Sequence, residues 1–206
     1  MFSQADFDIC YYARDNKFEK VAELLRLGPN PIFINEAMIF SASNGHLRIV
    51  ELCHAYGGND INGTAKKAAW HNQKEIMAWC QHFGITNINS VMGGAARGGH
   101  EEMFDLFLSL GADINASLVG AGAGGHIELF KRCIDLGAND YQKVLKYLFA
   151  PKATDYQKEK EIAKICIEHG ANLYDIALCP GNNFSDKEKR DEVVAELRLT
   201  VTSIAA

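Results

Sequence analysis

Proline is scarce, with four among 206 residues, and no apolar run is more than a few residues long. The first scarcity leaves helices uninterrupted; the second excludes a bilayer-spanning segment as the organising element. There is no basic excess either. Lys and Arg number 21 against 26 Asp and Glu, leaving a formal charge of −5 and a pI near 5.8. A nucleic-acid footprint needs a basic excess or a basic stripe, so nucleic acid is not the expected partner, although Lys66 and Lys67 form a small basic spot. Residues Met1 to Asp6 carry neither the positive start nor the apolar core of a signal peptide, and a cytoplasmic protein is expected. The chain has no C-x-x-C, no H-E-x-x-H and no nucleophile elbow, so no metal, cofactor or catalytic residue is expected.

What is present is an ordinary mix, 48% hydrophobic and 23% charged, with enough chain to bury a core. Within it lies a repeat. Ile34-Asn35, Ile61-Asn62, Ile88-Asn89 and Ile114-Asn115 each begin eleven residues before an anchor position: Gly45, Asn72, Gly99 and Gly125. A glycine follows twelve residues after each anchor, at Gly57, Gly84, Gly111 and Gly137. Asn16 fits as an earlier anchor, with Gly28 twelve after it, and Gly170 closes a later unit.

Each unit reads as two helices. In the first, small or apolar residues recur three, four and seven before the anchor: Ala42, Ser41 and Met38; Ala69, Ala68 and Ala65; Ala96, Ala95 and Met92; Gly122, Ala121 and Leu118. Those offsets share one helical face. In the second, Ile49, Val50, Leu52 and Cys53 recur as Ile76, Met77, Trp79 and Cys80, then as Met103, Phe104, Leu106 and Phe107, a buried stripe of period near 3.6. The anchor permits a tight helix-to-helix turn and the closing glycine a left-handed C-cap. Two short helices cannot bury their apolar faces alone, so the expected fold is an all-α solenoid of about seven stacked units. Their bounds are about 5–28, 29–57, 58–84, 85–111, 112–137, 138–170 and 171–199, one domain over 1–199 with a fraying tail at 200–206.

The strings Gly45-His46-Leu47-Arg48-Ile49-Val50, Ala95-Ala96-Arg97-Gly98-Gly99-His100 and Leu110-Gly111-Ala112-Asp113-Ile114-Asn115 resemble the ankyrin repeat. The resemblance covers about residues 5–172. The family's Thr-Pro-Leu-His element is missing, and the period is about six residues short of the usual 33. The shortfall falls where ankyrin repeats carry a β-hairpin finger, so helices with reduced or absent fingers are expected. Such shortened units resemble the divergent ankyrin proteins of large DNA viruses and of some intracellular bacteria. The resemblance implies a non-catalytic protein-binding module, an adaptor, inhibitor or effector, without naming the partner.

Several residues invite a chemical reading. Cys53, Cys80, Cys133 and Cys166 all lie eight after their anchors, where Leu24 and Phe107 stand in other units, so they read as core. Cys10 lies in the first helix of unit one, and Cys179 precedes Pro180 near the end. His46, His100 and His126 follow their anchors; the resemblance implies a structural role for them, bonding or packing across the turn. Gly120 to Gly125 matches G-x-G-x-x-G, but inside a helix rather than between strand and helix, so it carries no dinucleotide site. Its glycines cost about 1 kcal/mol each relative to alanine in a helix and mark a weak point or a close backbone approach. The loop from Pro151 to Tyr156 lengthens one unit.

The remaining candidates are on the surface. Glu19, Glu75, Glu102, Glu128 and Glu161 stand three after their anchors, an acidic row on a solvated face. The residues two before the anchor vary (Arg14, Ser43, Trp70, Arg97, Ala123), as do those five before it (Tyr11, Phe40, Lys67, Gly94, Gly120). The resemblance places such variable positions on a concave face. Phe40, Lys67, Trp70, His71, Arg97 and Arg14 there have the aromatic and arginine content of a binding hot spot. Trp70 reads equally as a core residue packed sideways onto its neighbour. Two other classes stay open: self-assembly through exposed end units, opposed by a polar first cap of Asp6, Asp8 and Arg14 and a charged last helix at 185–198, and an enzyme with a cryptic site near Cys179 and the 151–156 loop. A monomer without membrane, nucleic-acid or small-molecule partner is expected.

Overall fold

The structure is a computed structural model that describes residues 3–148, 156–172 and 195–197. The expectations for residues 151–155, for Cys179, for most of the 185–198 helix and for the tail 200–206 lie outside the described residues. Those described are helical, with no strand among them. Among the described residues the helices in order are α1 (Gln4–Arg14), α2 (Phe18–Arg26), α3 (Pro31–Ser43), α4 (Leu47–Ala55), α5 (Ile61–Trp70), α6 (Lys74–Phe83), α7 (Ile88–Gly98), α8 (Glu101–Ser109), α9 (Ile114–Gly124), α10 (Ile127–Asp135), α11 (Tyr141–Leu148) and α12 (Tyr156–Glu168), and residues 195–197 are also helical. No helix among the described residues is long and apolar enough to cross a membrane.

The chain divides into two compact units, one of residues 1–95 and 102–112, the other of 96–101 and 113–206. In the first, α1 packs on α3 and α3 on α5, while α2 packs on α4 and α4 on α6. Each pair also closes on itself, α1 with α2, α3 with α4 and α5 with α6. In the second, α9 packs on α10 and α11, and α12 on α10 and α11. Neighbour-to-neighbour packing of helix pairs is compatible with an α-solenoid. Residues 27–30, 56–60, 84–87, 110–113 and 136–140, which connect one pair to the next, contain no strand.

The backbone reproduces the repeat register. Among the described residues, those with positive φ are Asn16, Asn72 and nine glycines, and every one of them is an anchor or a closing position. Both turns use the same hydrogen bond. The N–H after the anchor returns to the carbonyl five residues back, His46 to Ser41 at 2.9 Å and His126 to Ala121 at 3.0 Å. The N–H after the closing glycine does likewise, Gly58 to Cys53 and Ala138 to Cys133, both at 2.9 Å. This is the Schellman bond, and it satisfies carbonyls that a helix C-terminus otherwise leaves open. At Gly125, with φ 71° and ψ 25°, the chain sits fully in the left-handed region it requires.

The expected core is the observed one on the first helices: Met38, Ala42, Ala65, Ala68, Ala69, Met92, Ala95, Ala96, Leu118 and Ala121 are all fully buried. On the second helices two details differ. The stripe is narrower than expected, because Leu52 and Trp79 are half-buried and Leu106 is 42% exposed. On α2 it is also rotated by one residue, burying Val21, Ala22 and Leu25 while Leu24 is only half-buried. The helix α4 has second-helix neighbours on both sides, α2 and α6, whereas α2 packs on α4 and on its own partner α1.

Candidate functional site

Asn35, Asn62 and Asn115, each the second residue of an Ile-Asn pair, tie one repeat to the next. Asn35 Oδ1 accepts from the N–H groups of Asn59 and Asp60 at 2.7 and 3.1 Å. Asn62 Oδ1 accepts from Thr86 and Asn87 at 3.0 and 2.9 Å, and Asn115 Oδ1 from Asn139 and Asp140 at 2.9 and 3.0 Å. Asp6 occupies the same register position, and its Oδ1 accepts from the Asn30 N–H at 2.8 Å. That bond, with those from the Ser3 backbone and hydroxyl, holds the Asp6 carboxyl below the usual carboxylate range. In the lengthened repeat Gln142 serves instead, its Oε1 accepting from the Asn172 N–H at 2.6 Å.

Two of the histidines after the anchors, His46 and His126, also bridge repeats. His46 Nε2 lies 3.0 Å from the Arg14 carbonyl and His126 Nε2 lies 3.1 Å from that of Arg97. A carbonyl only accepts, so each Nε2 carries the proton. The contact therefore reaches the preceding repeat rather than spanning only the histidine's own turn. Burial, with Lys158 and His100 nearby, pulls the His126 pKa below its ordinary value against the opposing effect of the Arg97 bond. The anchor glycine leaves room for this ring: a Cβ at Gly99 would lie 2.5 Å from His126 Cε1.

With the scaffold so fixed, the variable positions can be placed. On α1, Arg14 is exposed and its guanidinium lies 5.1 Å from the ring centre of Tyr11, itself 54% exposed. On α5 the order of types is reversed: Lys67 Nζ lies 4.2 Å over the ring of Trp70. His71 stacks on that ring at 5.2 Å. Trp70 is half-buried, neither core nor fully open. Phe40 projects from α3, the helix packed against both α1 and α5, and is 39% exposed. Five of the six predicted residues thus belong to the first compact unit. Arg97 belongs to the second, where its Nη1 donates to Tyr147 Oη at 2.8 Å.

Two features escape the sequence reading. Tyr147 is one: counted from Gln142, it holds the place five before the anchor, but the insertion hides that register. The other is an apolar residue recurring at one register position. Leu27, Tyr56, Phe83, Leu110 and Leu136 each precede a closing glycine, and they are between 41% and 70% exposed. Phe83 also heads an aromatic cluster, 4.4 Å from Trp79 and 4.5 Å from His54. The recurrence before each glycine was available in the sequence as a signal.

The remaining candidates are accounted for by packing. Cys53, Cys80, Cys133 and Cys166 are fully buried, and burial pushes their thiols up to about 12. Cys10 is half-buried with its thiol pushed up to about 11, so none of these five is a thiolate at neutral pH. Among the described residues no group of three His, Cys, Asp or Glu side chains could hold a metal ion. In the glycine string, a Cβ at Gly122 would lie 2.7 Å from Val144 Cγ1, and one at Gly124 would collide with the Arg97 carbonyl. These glycines permit close helix approach. The glutamate row is exposed and partly ion-paired, Glu102 with Lys74 at 2.8 Å and Glu161 with Lys131 at 3.9 Å. No protein-family model matches the chain, and no curated protein matches it significantly.

Proposed function

We propose that the chain is an ankyrin-like solenoid acting as a non-catalytic, cytoplasmic protein-binding module, and that its first helices carry the binding face. One observation supports this above the others. On α1 and α5 the same two register positions hold a cation beside an aromatic ring, and α3 between them exposes Phe40. Core positions around them are fixed by alanine and methionine, while these vary in type from repeat to repeat. Half-exposed Trp, Tyr and Arg on a rigid helical frame are the residues that dominate binding energy at interfaces. The buried, protonated thiols described above favour a non-catalytic role.

The test is affinity capture from cell lysate, read by mass spectrometry, with a Phe40→Ala/Lys67→Ala/Trp70→Ala variant alongside. The reading expects a protein retained by the native chain and lost by the folded variant. Capture indifferent to the variant would reject this face.

A second reading, self-assembly, is favoured by the exposed row Leu27, Tyr56, Phe83 and Leu110 within the first compact unit. Light scattering behind size exclusion separates the two. A monomer at micromolar concentration disposes of self-assembly, and a dimer broken by Phe83→Lys/Leu110→Lys supports it.

A further inference from the structure

The binding reading above leaves the partner's chemistry open, and the charge distribution narrows it. We propose that the first-helix face of the first compact unit takes an acidic peptide segment of a partner protein, with carboxylates facing Arg14, Lys66 and Lys67 and an apolar side chain against Phe40 and Trp70. The inference rests on the protein-binding reading and adds the sign of the partner's charge.

The chain is acidic overall, at −5, yet the C-terminal halves of the first helices are not. From six residues before each anchor up to the anchor, the first unit carries Arg14, Lys66 and Lys67. The sole carboxylate in those stretches is Asp15, which is ion-paired with Arg14 at 3.0 Å. Other carboxylates of the same unit lie in the N-terminal halves of the first helices, Asp6, Asp8 and Glu36, or on the second helices, as Glu19, Glu23, Glu51, Glu75 and Glu102 do. Taken by itself, the second unit has the same bias. Its α9 has no charged residue, and α11 has Lys143 and Lys146 without a carboxylate.

Cations suit helix C-termini, which accounts for their presence in a last turn. That preference does not call for a ring beside them. An aromatic patch with cations at its edge matches a segment of opposite charge carrying an apolar anchor. Its carboxylates would speed encounter and set specificity, while the anchor would supply contact area. Nucleic acid, the other common polyanion, is held by neutralising many phosphates, for which three cations on an acidic protein are few.

The experiment uses the full chain and fluorescein-labelled peptides about twelve residues long. Each has a central Leu-Phe pair flanked by Glu, Gln or Lys, and a single-stranded DNA of similar length is run beside them. Anisotropy is read at low salt (about 50 mM) and high salt (about 300 mM). The Glu peptide is expected to bind at least about tenfold more tightly than the Gln peptide and to weaken with salt. That preference should vanish in Arg14→Glu/Lys66→Glu/Lys67→Glu. The milder Lys66→Gln/Lys67→Gln, checked for native helicity, guards against a fold defect and should reduce the preference several-fold. Equal binding of Glu and Gln peptides, preference for Lys, tighter binding of DNA, or no binding at all would overturn the inference. Equal peptide binding that is lost in Trp70→Ala would overturn the charge assignment alone and leave the binding face standing. Failure of that face is read separately, in the lysate capture.

Discussion

Arg97 and Tyr147 lie fifty residues apart in sequence and share a hydrogen bond of 2.8 Å, with the guanidinium carbon 5.6 Å from the ring centre. The helix α9 comes between them in the chain and packs against α11, which carries Tyr147. The positions on α9 equivalent to theirs are Gly120 and Ala123, both buried and neither with a side chain that could stand in the way. The glycine-rich string therefore has a consequence for its neighbours: a pair forms across a repeat that contributes no side chain of its own.

This pair predicts a split between two variants. Tyr147→Phe removes the acceptor of a hydrogen bond from a charged guanidinium and keeps the ring, so it should cost about 1.5 kcal/mol. Arg97→Ala loses both the bond and the ring contact and should cost more. Urea midpoints of the two variants check the order. Equal midpoints, both native-like, would mean the pair contributes nothing to stability.

The inter-repeat asparagines predict a loss at a solvent-facing position. Asn62→Ala leaves the Thr86 and Asn87 N–H groups to water, which can reach them because both residues are exposed. The expected loss is about 1 kcal/mol, near the net worth of an ordinary hydrogen bond. Denaturant unfolding measures it, and an unchanged midpoint would contradict the role given to Asn62.

The glycines predict unequal costs for the same substitution. Gly28 has φ +70° with nothing within 4 Å of a Cβ, so alanine there meets only the left-handed penalty of about 1 kcal/mol. Gly99 has φ +73°, and a Cβ there also meets His126. Gly99→Ala should lower the melting temperature further than Gly28→Ala. Asparagine should be tolerated better than alanine at 28, as the native Asn16 and Asn72 adopt φ 56° and 54°. The reverse order for the two glycines would remove the steric part of the explanation.

Two groups give a pH dependence that variants can separate, in different windows; Asp15 and Glu102, held down by bonds from Arg14 and Lys74, share the acid window with Asp6. His126 is less readily protonated folded than unfolded, so the unfolded chain takes up the extra proton. Stability should then decline as pH falls below the ordinary histidine value of 6.5, and His126→Gln should flatten that slope. The Asp6 carboxyl is depressed, so its contribution is complete above 3.8 and is lost as pH falls through its lower folded value. Asp6→Asn should flatten the second window only. Unfolding free energies across both windows supply the check.

Much of this was legible from spacing alone. The left-handed positions at Asn16, Gly45, Asn72 and their successors follow from residue type and interval, because few side chains tolerate that backbone. The buried faces at Met38, Ala65 and Leu118 follow from helical periodicity. Less legible was anything depending on which neighbour a polar group meets. Asn62 and His126 recur at fixed places, but recurrence does not tell a cap within a repeat from a bridge between repeats. Arg97 read as a surface residue because its partner lies just before an insertion that displaces the anchor from which the register is counted. Trp70 stood between core and surface in the sequence, and its half-burial beneath Lys67 and His71 explains why neither description sufficed.

The central claim is that the first helices carry the binding face. Its most direct test is the dissociation constant of the captured partner, by calorimetry, for the native chain, Trp70→Ala and Leu110→Ala, each confirmed as folded by its melting curve. The account predicts at least about a tenfold weakening for Trp70→Ala, as for a hot-spot aromatic, and less than about a twofold change for Leu110→Ala. Native affinity in Trp70→Ala together with a large loss in Leu110→Ala would contradict it and move the interface to the apolar row at the ends of the second helices.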